Sequence, residues 1–167
     1  MHPILIGVSG GVAAGKKLFV RSLITKLGAK GVTAVGVDQY TKSHAKDPHT
    51  SCYVMQGLTL FSDHPKKYFD LKIFLDVEAD VRLCRMLSST TSMEEHQRVL
   101  KRYESITRPY HMHSVLKQRE LADISVNGNF KDKDVDFAAA RALKILNMTD
   151  KEQEEEDVDL AHIYGLK

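Results

Sequence analysis

The chain has 167 residues, 43% hydrophobic and 28% charged, a balance that fits one globular domain able to bury a core. Its apolar runs fall far short of the roughly 20 residues that cross a bilayer. The start, Met1 to Gly7, enters an apolar strand at once and leaves no space for a leader peptide, so the expected location is intracellular, cytoplasmic. The formal net charge of +2 hides an acidic end: residues 151–167 hold six acids against two lysines, leaving a net of +6 on the rest. A mildly basic body is compatible with a polyanionic partner and equally with an ordinary enzyme.

The elements follow in order. Ile4–Val8 is a short apolar run before Ser-Gly-Gly and reads as a buried strand feeding a glycine loop. Lys16 to Leu27 carries Phe19, Leu23, Ile24 and Leu27 at helical spacing, and Gly28 closes that helix. Val32–Val37 is a second strand, ending at Asp38. Residues 39–51 are polar and aperiodic, a loop. Tyr53–Met55 lies in a third strand that ends at Gln56-Gly57, and a short amphipathic piece spans Leu60–Phe69. Leu71–Leu75 is a fourth strand. Ala79–Leu87 is a helix, and Ser92 to Glu95 is a capping box opening another through Tyr103. Pro109 suits the first turn of a third helix. Ala122–Val126 is a fifth strand stopped by Asn127-Gly128, and Asp132–Leu146 is a final helix. Strands alternating with helices predict an α/β fold with a parallel sheet of about five strands.

The loop "GGVAAGKK", Gly10 to Lys17, matches the phosphate-binding pattern G-x-x-x-x-G-K-[ST] at Gly10, Gly15 and Lys16. It stands between a strand and a helix, where such a loop works. Backbone N–H groups of Gly10, Gly11, Val12, Ala13, Ala14 and Gly15 can turn onto phosphates, and the helix adds its positive end. Lys16 would reach the terminal phosphates. The last position fails, because Lys17 replaces the hydroxyl that holds Mg²⁺ in phosphoryl transfer. Either its ammonium neutralises phosphate near the metal position, or it points to solvent over an empty loop.

These residues resemble the uridine kinase family of the phosphoribulokinase/uridine kinase group. "IGVSGGVAAGKK" is similar to the family loop. "VGVDQY" (Val35–Tyr40), "VMQG" (Val54–Gly57), "LKIFLDVEADVRLCRML" (Leu71–Leu87) and "TRPYHMHSVLKQRELADISVNG" (Thr107–Gly128) resemble later family segments in family order. The resemblance covers most of residues 4–147 and implies a P-loop nucleoside-kinase core, P-loop NTPase-like, over 1–147. Residues 148–167 have no counterpart and form an acidic tail. That tail ends in Val158, Leu160, Ile163, Tyr164 and Leu166, which suggests a docking segment; the alternative is a solvated acidic end.

The departures from the family fall on its chemistry. Lys17 removes the metal-binding hydroxyl, and Val12 and Ala14 replace polar loop residues. Gln56 replaces the glutamate of the family's E-G pair, and a neutral amide is a poor partner for Mg²⁺. The lid segment, Ser88–Gln97, has no arginine, whereas the family clamps phosphates with arginines there. Only seventeen residues separate Asp38 from Gln56, so the family's nucleoside-binding insertion is largely missing. Asp38 keeps the position assigned to the base that accepts the substrate hydroxyl's proton; it is equally a turn-capping aspartate.

The expectation is therefore a non-catalytic uridine kinase-like pseudoenzyme. It would serve as a subunit or binding module of a protein or ribonucleoprotein assembly, with ATP or another nucleotide on Gly10–Lys17 and no dependable Mg²⁺ site. The alternative is a minimal active ATP-dependent nucleoside or small-molecule kinase with Lys16 on phosphate and Asp38 as base. His44, His49, His64, His96, His111 and His113 match no standard zinc spacing and read as surface histidines. Cys52 and Cys84 read as small buried residues. Lys101, Arg102 and Arg108 with Tyr103 and Tyr110 offer a basic aromatic surface for nucleic acid or, more simply, a solvated helical face.

Overall fold

The computed structural model describes residues 3–38, 50–64 and 67–147. Five strands form one parallel sheet: β1 (Ile4–Gly10), β2 (Ala34–Asp38), β3 (Cys52–Gly57), β4 (Leu71–Asp76) and β5 (Ile124–Asn127), in the order β2-β3-β1-β4-β5. Each strand predicted from sequence is present, extended or shortened at its ends by a residue or two. The chain lies outside the described residues over most of the expected 39–51 loop, His44 and His49 included, and over 148–167.

The sheet is all parallel, with helices following β1, β3, β4 and β5, and its strands are apolar because both faces are covered. On one face, α1 (Lys16–Gly28) lays Phe19, Val20, Leu23 and Leu27 against Ile4, Ile6 and Val8 of β1. The last helix, α7 over 132–147, adds Val135, Ala138, Ala142 and Leu146 to the same core. On the other face lies a smaller cluster of Leu60, Phe61 and Phe69. Among the described residues of the predicted amphipathic piece, Leu60–Asp63 form a helix, α2.

Between β4 and β5 run α3 (Ala79–Ser88) and an almost unbroken helical rod from Met93 to Leu121. The capping box forms: Ser92 Oγ accepts from Glu95 N at 3.2 Å, and the Glu95 carboxylate accepts from Thr91 N at 3.0 Å. Pro109, however, does not begin a separate helix. The rod continues from α4 (Met93–Arg102) through a π turn at Tyr103–Thr107, α5 (Arg108–Tyr110), a second π turn at His111–Val115 and α6 (Lys117–Leu121). A proline lacks the N–H for an α bond and its ring crowds the carbonyl four residues back; the widened turn before it relieves that clash. A second correction concerns Cys84, which is exposed on α3, while Cys52 is buried in β3 as expected. Helix α3 turns Arg82 inward instead. Among the described residues, no helix is long and apolar enough to cross a membrane.

Candidate phosphate-binding site

Register puts the carboxyl ends of β1, β3 and β4 side by side, with Ser9 beside Gly57 and Gly10 beside Leu75. In parallel α/β sheets this edge is where ligands bind. The loop leaving β1 turns through three left-handed residues, Gly10 (φ +153°), Ala13 (φ +60°) and Gly15 (φ +89°). Ala13 holds that conformation with a Cβ, which costs on the order of 1 kcal/mol. Ala14 N donates to Gly11 O at 3.2 Å, and Phe19 N to Gly15 O at 3.0 Å as α1 begins. No side chain caps α1, and its first turn carries no acid. Its free N–H groups and positive dipole end therefore face the loop without competition.

Lys16 bends back over the loop, donating from Nζ to Gly10 O and Gly11 O at 2.8 Å each. Burial, with Arg82 nearby, lowers its ammonium from 10.5 to about 8. Lys17 is exposed at the start of α1.

Behind the loop lies a second set of donors. Arg82 is only 1% exposed; its Nε donates to Val77 O at 3.1 Å, and its Nη1 has no partner. His111, brought inward by the second π turn, is 8% exposed with its Nδ1 unpartnered. This corrects the expectation of a surface histidine; His113, two residues on, is exposed. Both orphaned atoms converge on Gly11. A Cβ there would stand 2.9 Å from Arg82 Nη1 and 2.9 Å from His111 Nδ1, so any larger residue would force one of these side chains to move. Burial, with Arg82 and Lys16 close by, pushes the His111 imidazole down to about 4, although Asp76 acts the other way. The Asp76 carboxylate at the end of β4 is held by Arg119 at 3.1 Å. The charge facing the loop is thus positive.

Arg85, one turn after Arg82, spans two chain segments. Its Nη1 donates to Ala13 O at 3.2 Å, and its Nη2 to Gly128 O and Asn129 Oδ1 at 2.9 Å each. Beside this clasp opens a cavity of about 540 Å³ lined by Ala13, Gly15, Leu18, Arg85, Asn129 and Phe130. Phe130 packs edge-on against Phe19 of α1, ring centres 5.1 Å apart. On the opposite side of the loop, a groove of about 140 Å³ runs between Val12, Leu58, Ile106, Tyr110 and Val115.

The sequence-predicted residues Gly10 to Lys17 form this one loop. Asp38 ends β2, in register with Gln56 of β3 and two strand positions from β1, about 10 Å across the sheet. The Gln56 Oε1 is buried without a partner. Among the described side chains, these groups do not fit a donor set for Mg²⁺. A lysine stands where a hydroxyl would ligate, a neutral amide where a carboxylate would, and Asp76 is engaged by Arg119.

Three residues here carried no role in the sequence reading: Arg82, Arg85 and His111. The spacing of Arg82 and Arg85, one helical turn apart after a strand end, signals that both reach the same edge. The inward turn of His111 had no such signal, because it depends on the π geometry around Pro109.

No protein-family model matches the chain. The uridine kinase of Deinococcus deserti is 22% identical over 198 aligned positions, spanning 84% of this chain and 96% of that protein. A Clostridium botulinum uridine kinase (strain Langeland) is 22% identical over 205 positions, spanning 87% and 98%. Both alignments exceed the 167 residues of the chain, so these relatives carry residues without a counterpart in it. Among solved structures, a Silicibacter sp. TM1040 protein assigned as a fructose transport system kinase superposes with a TM-score of 0.53 at 14% identity, covering 74% of this chain and 89% of that one. A Thermus thermophilus protein superposes at 0.52 and 14% identity, covering 89% and 98%. The fold is that of a P-loop kinase.

Proposed function

We propose that this distant uridine kinase-like protein binds the phosphates of a nucleotide on the loop Gly10–Lys17 without carrying out metal-dependent phosphoryl transfer. It would then act as a binding module or subunit of a larger assembly. The observation that carries the reading is the split at the loop itself. Its anion-facing half is intact: left-handed turns, an uncapped helix start and Lys16 over the carbonyls. Its metal-facing half is not, with Lys17 exposed and Gln56 neutral. Phosphoryl transfer depends on both halves.

In this reading the triphosphate lies along the loop and displaces Lys16 from Gly10 O and Gly11 O. The base takes the cavity between Arg85, Asn129 and Phe130, whose size suits a nucleoside. The groove at Val12, Leu58 and Tyr110, of about 140 Å³, is too small to enclose a nucleoside. Residues 1–147 would form the binding domain and 148–167 a docking segment for the partner. Exposed Ile106 and Met112 on the helical rod give that partner apolar surface.

The alternative, a minimal ATP-dependent kinase for a small acceptor, rests on Asp38 holding its strand end beside Gln56. It requires Mg²⁺ to be carried by nucleotide and water alone. Purified protein given ATP, Mg²⁺ and uridine or cytidine is expected to form no nucleoside monophosphate above background. Product that disappears in both Lys16→Ala and Asp38→Ala would overturn the non-catalytic reading.

A further inference from the structure

We propose that residues 148–167 dock on their own domain, with the acids of that segment against Arg98 and Arg102 and Leu160 in the apolar groove at Val12, Leu58, Ile106 and Tyr110. The inference goes beyond the reading above, in which this segment and the rod meet a partner: a seat for the segment exists within the chain.

Surface and segment match in chemistry and in order. Arg98 and Arg102, one helical turn apart on α4, are exposed and make no ion pair among the described residues. They line a shallow cavity of about 280 Å³ with Thr90, Glu95 and Val99. Glu95 is committed to the capping box, where its carboxylate accepts from Thr91 N at 3.0 Å, so the cavity keeps a surplus of positive charge. Arg102 also borders the 140 Å³ groove, so the two spaces adjoin. There Val12, Ile106 and Tyr110, 38%, 59% and 43% exposed, turn apolar surface to one concavity large enough for a single leucine-sized anchor. The segment presents the same pair along its length: Glu152, Glu154, Glu155, Glu156 and Asp157 come first, then Val158, Leu160 and Ile163. The spacings agree. Leu160 follows Asp157 by about 10 Å of extended chain, and Ile106 and Tyr110 lie about 6 and 12 Å along the rod from Arg102. The segment also reaches. Helix α7 begins after β5, at the loop edge of the sheet, and rises about 24 Å over 132–147. The chain from there to Leu160 spans up to about 43 Å, room to return to that edge and cross the two strand spacings, about 10 Å, from β5 to β1. Exposed ion pairs alone contribute little, so the apolar anchor is needed as well. A tethered segment meets its seat at an effective concentration of about 1 mM, which makes even a modest contact sufficient.

A synthetic peptide of residues 148–167 is the probe, titrated by calorimetry into the full chain at low salt. Leu160→Asp in the chain vacates the groove, so this variant should bind the peptide with a Kd on the order of 100 µM. Wild type, whose own segment competes in cis, should bind it about tenfold more weakly. Adding Ile106→Asp, or Arg98→Glu with Arg102→Glu, to the Leu160→Asp chain should remove binding while the circular dichroism spectrum and unfolding midpoint hold. Placing Leu160→Asp in the peptide instead should also remove binding, and this leaves the protein untouched. Sedimentation should be the same for wild type and the Leu160→Asp chain. No binding to that variant, equal binding to it and to wild type, or binding indifferent to the groove and arginine changes would each overturn the proposal. Self-association of wild type that Leu160→Asp abolishes would give the groove to a second copy and overturn docking in cis. Nucleotide takes no part in these titrations, so this inference and the nucleotide reading can each fail alone.

Discussion

Lys16 and His111 are both bases whose protonated form the fold disfavours, and the sign of their effect on stability follows from that. Lys16 titrates near 8 when folded and near 10.5 when unfolded, so between these values the unfolded chain binds more protons. Wild-type stability should therefore rise with pH across that window relative to Lys16→Met. The relative gain is about 2 kcal/mol once partial solvent screening is allowed for. Chemical denaturation of the two proteins in parallel measures it, and parallel curves would refute it. For His111 the window runs from about 4 to 6.5. As pH falls through it, the unfolded chain takes up a proton that the folded one resists, so wild type should lose more stability than His111→Gln. An equal loss would show that the imidazole is not held neutral by its surroundings. Neither effect was legible in the sequence. Lys16 is identified by its motif, but its burial and the charge of Arg82, 66 positions away in the chain, come only with the fold.

Elements whose ends are set by local chemistry were readable from sequence; those set by distant partners were not. The helix from Met93 was announced by Ser92 and Glu95, and its cap has the expected form. Ser92→Ala should lower stability by about 1 kcal/mol, measured by urea denaturation. Helix α2 is the contrasting case. Thr59 at its N-cap makes no side-chain cap. Gln118, fully buried on α6, does that work from across the fold: its Oε1 accepts from Phe61 N at 2.7 Å and Ser62 N at 3.3 Å, and its Nε2 donates to Ser62 Oγ at 2.7 Å. Gln118→Leu fills the volume but strands the Phe61 N–H, while Ser62 N keeps Thr59 O as acceptor, and should cost about 2 kcal/mol. A change below about half a kcal/mol in thermal or urea unfolding would mean that the bonds are dispensable. The same logic explains the failure at Pro109. Proline chemistry correctly marks a break in α geometry, but the packing of Tyr103, Thr107 and Val115 keeps the rod in one piece and converts the break into π turns.

At the scale of the molecule, the parallel sheet was legible because apolar runs such as Ile4–Val8 and Leu71–Leu75 alternate with helical periods, and a sheet covered on both faces needs that pattern. Half of the candidate site was legible too: the loop declares itself by glycine spacing between a strand and a helix. The half built from Arg82, Arg85 and His111 was not. Those residues come from α3 and the helical rod, and only the β1–β4 pairing and the π turns bring Arg82 and His111 to Gly11 and Arg85 to Ala13. The central claim is that an anion site has outlived its metal site. ATP binding to the purified chain, followed by calorimetry first with Mg²⁺ and then with EDTA, tests it most directly. The account predicts binding of similar affinity in both conditions. Binding that appears only with Mg²⁺ would contradict it and return the chain to the active kinases.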